Sequence, residues 1–238
     1  MINNFKIKNF LLDIFFPKFC VGCGKEGIYL CEDCKSCLEI SEQVFCLCEK
    51  PNRLIQNGKC NKCKFKKLDG LYLAVSYKNQ LVKKIIHQFK YEPLIKELSE
   101  SLTDLIITHF LLLNKVDDFW KDKILIPIPL YITKLKRRGF NQAEEIAKNL
   151  SNAFKAPLLN DCLIKIKETP AQMELSEKER KENLKGAFEV KEKERIKNQK
   201  IILIDDVYTT GATMEEAAKI LKEAGAKEVW GIVIARGS

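Results

Sequence analysis

Apolar positions follow two regimes along the chain. Through residue 67 they are scattered between cysteines; beyond it they gather into blocks with a regular period. Residues 71–77 alternate as a strand does. Val82, Ile85, Ile86 and Phe89 then recur on one face of a helix. Residues 94–113 read as a longer apolar helix, with Leu94, Leu98, Leu102, Leu105, Ile106 and Leu112 as candidate core. A short apolar strand over 124–128, closed by Pro127 and Pro129, leads into a basic turn over 134–139. Asn141 is a good N-cap with Glu144 three residues on, predicting a helix from Gln142 to about Ala153. Charged residues dominate 165–200: 168–180 reads as an exposed, mobile segment, partly helical after Ser176, and 186–190 as a short strand. Four consecutive apolar residues, Ile201, Ile202, Leu203 and Ile204, suit a strand buried on both faces. A second core strand is predicted over 228–235, and Gly225 closes the helix 213–224 between them. Strands alternating with helices predict an α/β fold with a mainly parallel, doubly wound sheet.

Cysteine usage sets the first part of the chain apart. Nine of ten cysteines lie within residues 20–63. The apolar run at 10–16 is short, broken by Asp13, and followed by no small-residue cleavage site, so a cytoplasmic protein with no membrane span is expected. In a reducing compartment, clustered CxxC pairs point to metal rather than disulfides. Cys20-x2-Cys23-x7-Cys31-x2-Cys34 supplies four thiolates for a closed, structural tetrahedral zinc site. Cys46-x-Cys48 and Cys60-x2-Cys63 predict a second site. The 46–48 spacing is one short of a standard knuckle, and Cys37 is left over to stand in for Cys46 or Cys48. Cys162 reads as a buried apolar residue. The expected organisation is a zinc-ribbon module over 1–67 and a larger domain over 68–238.

Charge matters less than it first suggests. The net +9 invites a nucleic-acid or polyphosphate partner, but each zinc held by four thiolates carries −2, so two loaded sites leave about +5. What remains is local: Lys59, Lys62, Lys64, Lys66 and Lys67 surround Phe65. A basic cluster with an interleaved ring suits single-stranded nucleic acid, whereas the alternative is a solvated lysine-rich edge.

The most telling stretch is 201–213, IILIDDVYTTGAT. Asp205 and Asp206 end a buried strand. Thr209, Thr210, Gly211, Ala212 and Thr213 form a hydroxyl- and glycine-rich turn that opens a helix, with Val207 before it expected at the same binding site. Backbone amides of such a turn and of a helix N-terminus point at an anion, while paired carboxylates accept from sugar hydroxyls. A Walker A loop is excluded, because no Gly-Lys-Ser/Thr follows. The stretch resembles the phosphoribosyl-pyrophosphate (PRPP) loop of type I phosphoribosyltransferases, with Tyr208 bulkier than the usual aliphatic residue.

Further stretches carry a second likeness. Ile126-Pro-Ile-Pro-Leu130, Arg138-Gly-Phe-Asn-Gln-Ala143, Thr169-Pro-Ala-Gln172 and Arg180-x2-Asn183-x2-Gly186-Ala-Phe188, followed by the PRPP loop, resemble the ComF competence-protein family. The resemblance implies a double zinc ribbon joined to a type I phosphoribosyltransferase-like domain. It also implies a role in natural transformation, single-stranded DNA as a partner, and a competence helicase as another. For a phosphoribosyl transfer from PRPP with Mg²⁺, the 5′-phosphate is expected on 209–213 and the 2′- and 3′-hydroxyls on Asp205 and Asp206. Arg138 is the candidate for pyrophosphate, with Lys134, Lys136 and Arg137 as neighbours, and 167–186 is a candidate lid contributing Arg180 and Asn183. No residue stands out as a general base. A phosphoribosyltransferase is therefore weighed against a non-catalytic protein that holds PRPP or a 5′-phosphorylated end, and against a zinc-ribbon DNA adaptor.

Overall fold

The computed structural model describes residues 17–55, 58–169 and 182–237. The N-terminal part contains helix α1 (Glu32–Ser36) and a small antiparallel pair, β1 (Val44–Phe45) with β2 (Arg53–Leu54). Strand β3 (Gly70–Ser76), helix α2 (Gln80–Lys90) and helix α3 (Leu98–Leu112) follow. Next come β4 (Lys123–Pro127), α4 (Ile132–Arg138), α5 (Gln142–Phe154), and the antiparallel pair β5 (Leu163–Lys165) and β6 (Phe188–Val190). The chain closes with β7 (Lys200–Tyr208), α6 (Ala212–Glu223) and β8 (Glu228–Arg236).

The main sheet has the order β3-β8-β7-β4, with every pair parallel. Parallel strands require both faces to be covered, and β7 shows why its sequence is continuously apolar. Ile202 and Ile204 enter the core beneath α2, α3 and α5, while Ile201 and Leu203 enter the one beneath α6 and β6. The same logic corrects the reading of β3 as an alternating strand. Leu71 through Val75 are all buried, because the N-terminal module covers what would otherwise be a solvent face.

Two other expectations change. The basic turn is helical: α4 runs to Arg138 and ends on Gly139 in the left-handed region. The long helix starts later, at Leu98, leaving Leu94 half-buried and Leu112 exposed. The segment 168–180 falls mostly outside the described residues, as do the apolar run 10–16 and Arg180.

The N-terminal module packs onto the sheet rather than standing apart. Val21, Leu30, Leu38 and Val44 share one core with α2 and α3. Ile40 forms an antiparallel bridge with Val75, and the Ser41 amide donates to the Ala74 carbonyl at 2.7 Å. The buried His109 ring of α3 contacts the Ser41 carbonyl through Nδ1 at 2.5 Å, joining helix to module. No helix among the described residues is long and apolar enough to cross a membrane.

Candidate functional site

Asp205 and Asp206 lie near the C-terminal end of β7, where doubly wound sheets place their ligands. Rather than ending at the acid pair as expected, the strand runs on through Val207 to Tyr208. Thr209 and Thr210 make the turn, and Gly211 is the N-cap of α6 with φ of 79°. Only glycine suits that position. A Cβ there would also lie 2.1 Å from the Tyr208 hydroxyl. Ala212 and Thr213 open the helix, whose first-turn amides have no intrahelical partner. The Thr210 hydroxyl accepts from the Ala212 amide at 3.4 Å, which tightens the turn.

The two carboxylates have different surroundings. Asp205 Oδ1 accepts from the Asp206 amide at 2.8 Å. Burial, and then the charge of Asp206, push the Asp205 carboxyl up to about 7. Asp206 Oδ1 lies 2.8 Å from Lys90 Nζ, the last residue of α2. Burial works against the Lys90 charge, but Asp206 outweighs it and raises the ammonium above its ordinary value.

Further cations surround the pair. Lys134 of α4 is exposed as a whole residue, yet its ammonium is lowered to about 8, first by loss of hydration and then by Arg138, Lys165 and Lys90. Lys165 of β5 is lowered by burial, against which the charge of Asp205 works to raise it. Arg138 is buried; its guanidinium donates to Gln142 Oε1 at 2.8 Å and lies over the Tyr91 ring. Gln142 in turn donates to the Phe89 carbonyl. Arg138 is thus held in place at the end of α4 rather than loose in a turn, whereas Arg137 and Lys136 are exposed. Asn141 caps α5 by accepting from the Ala143 amide and donates to the Ile128 carbonyl just beyond β4. Each polar residue of 138–142 is therefore held by a named contact.

Lys90 and Lys165 were missed in the sequence. In a chain with 41 lysines and arginines, neither carries a distinguishing neighbour. Residues 165–169 reach α4 through a Glu168–Thr133 hydrogen bond, and Gly186 donates to Glu216 of α6 at 3.0 Å. Asn183 is half-buried, while the rest of the candidate lid, 170–181, lies outside the described residues.

Both cysteine sets are complete as fours. Cys20, Cys23, Cys31 and Cys34 bring their sulfurs within 4.8 Å of one another, and so do Cys46, Cys48, Cys60 and Cys63. Neighbouring sulfurs are 3.5–3.6 Å apart. A tetrahedron with Zn–S of about 2.3 Å has edges of about 3.8 Å, so each set can hold a structural zinc. Glycine is needed at the first knuckle, since a Cβ on Gly22 would lie 2.5 Å from Cys34 Sγ. Crowding also shows in the thiols. Its hydrogen bond with Cys48 pulls Cys60 down to about 6, while burial pushes Cys48 up to about 12. Cys37 is exposed and belongs to neither set, so the short 46–48 spacing needs no substitute. Cys162 is buried, as expected.

The lysine cluster divides. Lys59 donates to the Lys66 carbonyl, and Lys66 to the Leu47 carbonyl. Lys62, Lys64 and Lys67 are exposed, with Phe65 at 75 % exposure among them.

Comparison with known proteins agrees with this architecture. A family model described as "Phosphoribosyl transferase domain" matches residues 109–238. The chain is 30 % identical over 227 residues to "Competence protein F" of Haemophilus influenzae, covering 91 % of this chain and 84 % of that protein. It is 32 % identical over 206 residues to "Competence protein ComFC" of Streptococcus pneumoniae, covering 84 % of each. It is also 29 % identical over 148 residues to "DNA utilization protein YhgH" of Escherichia coli K12, covering 61 % of this chain and 64 % of that protein. The chain belongs to the ComF competence-protein family, in which a phosphoribosyl transferase domain follows a cysteine-rich module that can hold zinc.

Proposed function

We propose that this protein binds PRPP with Mg²⁺ and transfers its phosphoribosyl group, in the service of natural transformation. The observation that carries the reading is charge placement. An acid pair near the C-terminal end of a central strand lies just before a helix N-terminus and is surrounded by four basic side chains, Lys90, Lys134, Arg138 and Lys165. That pattern is complementary to a diol flanked by two anionic groups. The 5′-phosphate would rest on the amides and hydroxyls of 209–213, beside Val207 and Ala212. Asp205 and Asp206 would accept from the ribose hydroxyls, and Arg138 with Lys134 would receive the pyrophosphate. In the transfer, the bond from C1′ to pyrophosphate breaks and its electron pair leaves with pyrophosphate. The acceptor's lone pair forms the new bond to C1′, and its proton passes to solvent. Carboxylates beside an electron-poor ribose favour that charge distribution.

Transformation is the biological role that the names of the relatives support. In it, the exposed Phe65 with Lys62, Lys64 and Lys67 suits stacking and phosphate contact along single-stranded DNA. Residues 1–67 would then be the module that presents this edge. A holding protein without turnover is the second reading, favoured by the basic side chains that surround the acid pair and suit anion binding. Calorimetry with PRPP and Mg²⁺, followed by pyrophosphate release on adding nucleobases, ammonia or DNA, separates the two. Release with one acceptor supports transfer; tight binding with no release supports holding; no binding of PRPP overturns both.

A further inference from the structure

Tyr208 sits between the anion-binding turn and the second cysteine cluster. Its ring is 2 % exposed and lies against Gly211, the residue on which the turn closes. Two basic side chains also touch it. The Arg236 guanidinium, at the end of β8, lies 5.0 Å above the ring, and Lys66 Nζ is 3.4 Å from its hydroxyl.

Both cations are also tied to one knuckle of the cluster. Arg236 donates to the Cys46 carbonyl at 2.8 Å and to the Cys48 carbonyl, and Lys66 donates to the Leu47 carbonyl at 2.7 Å. Three consecutive carbonyls are thus gripped by the two side chains that hold Tyr208. A second tie runs from the same region to the start of α6, where Glu215 accepts from the amides of Lys67 at 2.8 Å and Leu68 at 3.4 Å. The first cluster sits elsewhere: Val21, Leu30 and Leu38 around it enter the core shared with α2 and α3.

We propose that the second cluster is a wall of the phosphate cradle, and that Lys66 and Arg236 are positioning residues through which its metal state sets the affinity of 209–213 for phosphate. The proposal rests on the PRPP reading above. A structural zinc fixes the path of its ligand knuckles. With 46–48 fixed, the carbonyls hold Lys66 and Arg236, these hold the Tyr208 ring, and the ring backs the left-handed turn at Gly211. Amides already aimed at the anion bind without a further ordering cost. Without the metal the knuckle loses its geometry and the turn loses its backing.

The test uses the full-length chain, with zinc per chain, calorimetric PRPP–Mg²⁺ affinity and hydrogen exchange at the amides of 209–213 all measured. Lys66→Met removes the donor and keeps the stem. It is expected to retain wild-type zinc content, to lose about tenfold in PRPP affinity, and to exchange faster at 209–213, and Lys66→Arg is expected to restore both affinity and exchange. Cys60→Ser, in the second cluster, is expected to cost at least about tenfold in affinity, whereas Cys23→Ser, in the first, leaves it within about twofold. The proposal is overturned if Lys66→Met binds PRPP as the wild type does with unchanged exchange, or if the two cysteine variants lose affinity equally. Should Cys60→Ser fail to fold, Lys66→Met decides alone. If the wild type binds no PRPP, the ligand reading fails, and faster exchange at 209–213 in Lys66→Met still tells for the relay while unchanged exchange tells against it.

Discussion

Asp205 and Asp206 are adjacent in the chain yet differ in what they can do. Asp206 pairs with Lys90 Nζ at 2.8 Å, which leaves it oxygens that can accept from a hydroxyl. Asp206→Asn is expected to weaken PRPP binding by about 1–3 kcal/mol, read by calorimetry; unchanged affinity would remove Asp206 from the site. Asp205 has its carboxyl raised from 3.8 to about 7, so the folded protein binds this proton more tightly than the unfolded chain. Stability is therefore lost as pH rises from about 4 to about 7 and stays low above that. Asp205→Asn, which cannot ionise, is expected to raise the melting temperature at pH 8 and to bring little gain at pH 4. An equal gain at both values would contradict this assignment. At this scale the acid pair and the turn were legible because their chemistry is local in sequence. Lys90 and Lys165 were not, since their meaning comes from contacts across the fold. Arg138 was picked for its charge, but its burial against Gln142 and Tyr91 was invisible.

Helices and strands with a long, clean period were read correctly, and β7, β8 and α6 stand within three residues of their expected bounds. Failures occurred where tertiary cover or a short helix overrode the pattern. The strand β3 is buried from Gly70 to Val75 because another layer lies on it, and α4 is too short and too basic to show a period. The start of α5 was marked by its cap, and that cap does more than end a helix. Asn141 joins α5 to the chain just after β4, thereby fixing the element that carries Arg138. Asn141→Ala is expected to cost about 1–2 kcal/mol in urea unfolding, and a loss below a few tenths would show the cap to be dispensable.

Seen whole, the described residues gather around one parallel main sheet with cores on both faces, and the cysteine-rich part contributes to each. The likelihood of metal was plain from spacing alone. The attachment of the module to the sheet was not, because it runs through backbone groups such as Ser41 and Ala74 that carry no sequence signature. That attachment has a colloidal consequence. β3 is an outer strand, and open strand edges recruit other chains. Here the bridge from Ile40 to Val75 and the Ser41 amide occupy part of that rim. Chelating zinc is thus expected to bare a sticky border, with light scattering rising before helical circular dichroism falls. Protein that stayed monodisperse after chelation would show that the rim is guarded by something other than the ribbon.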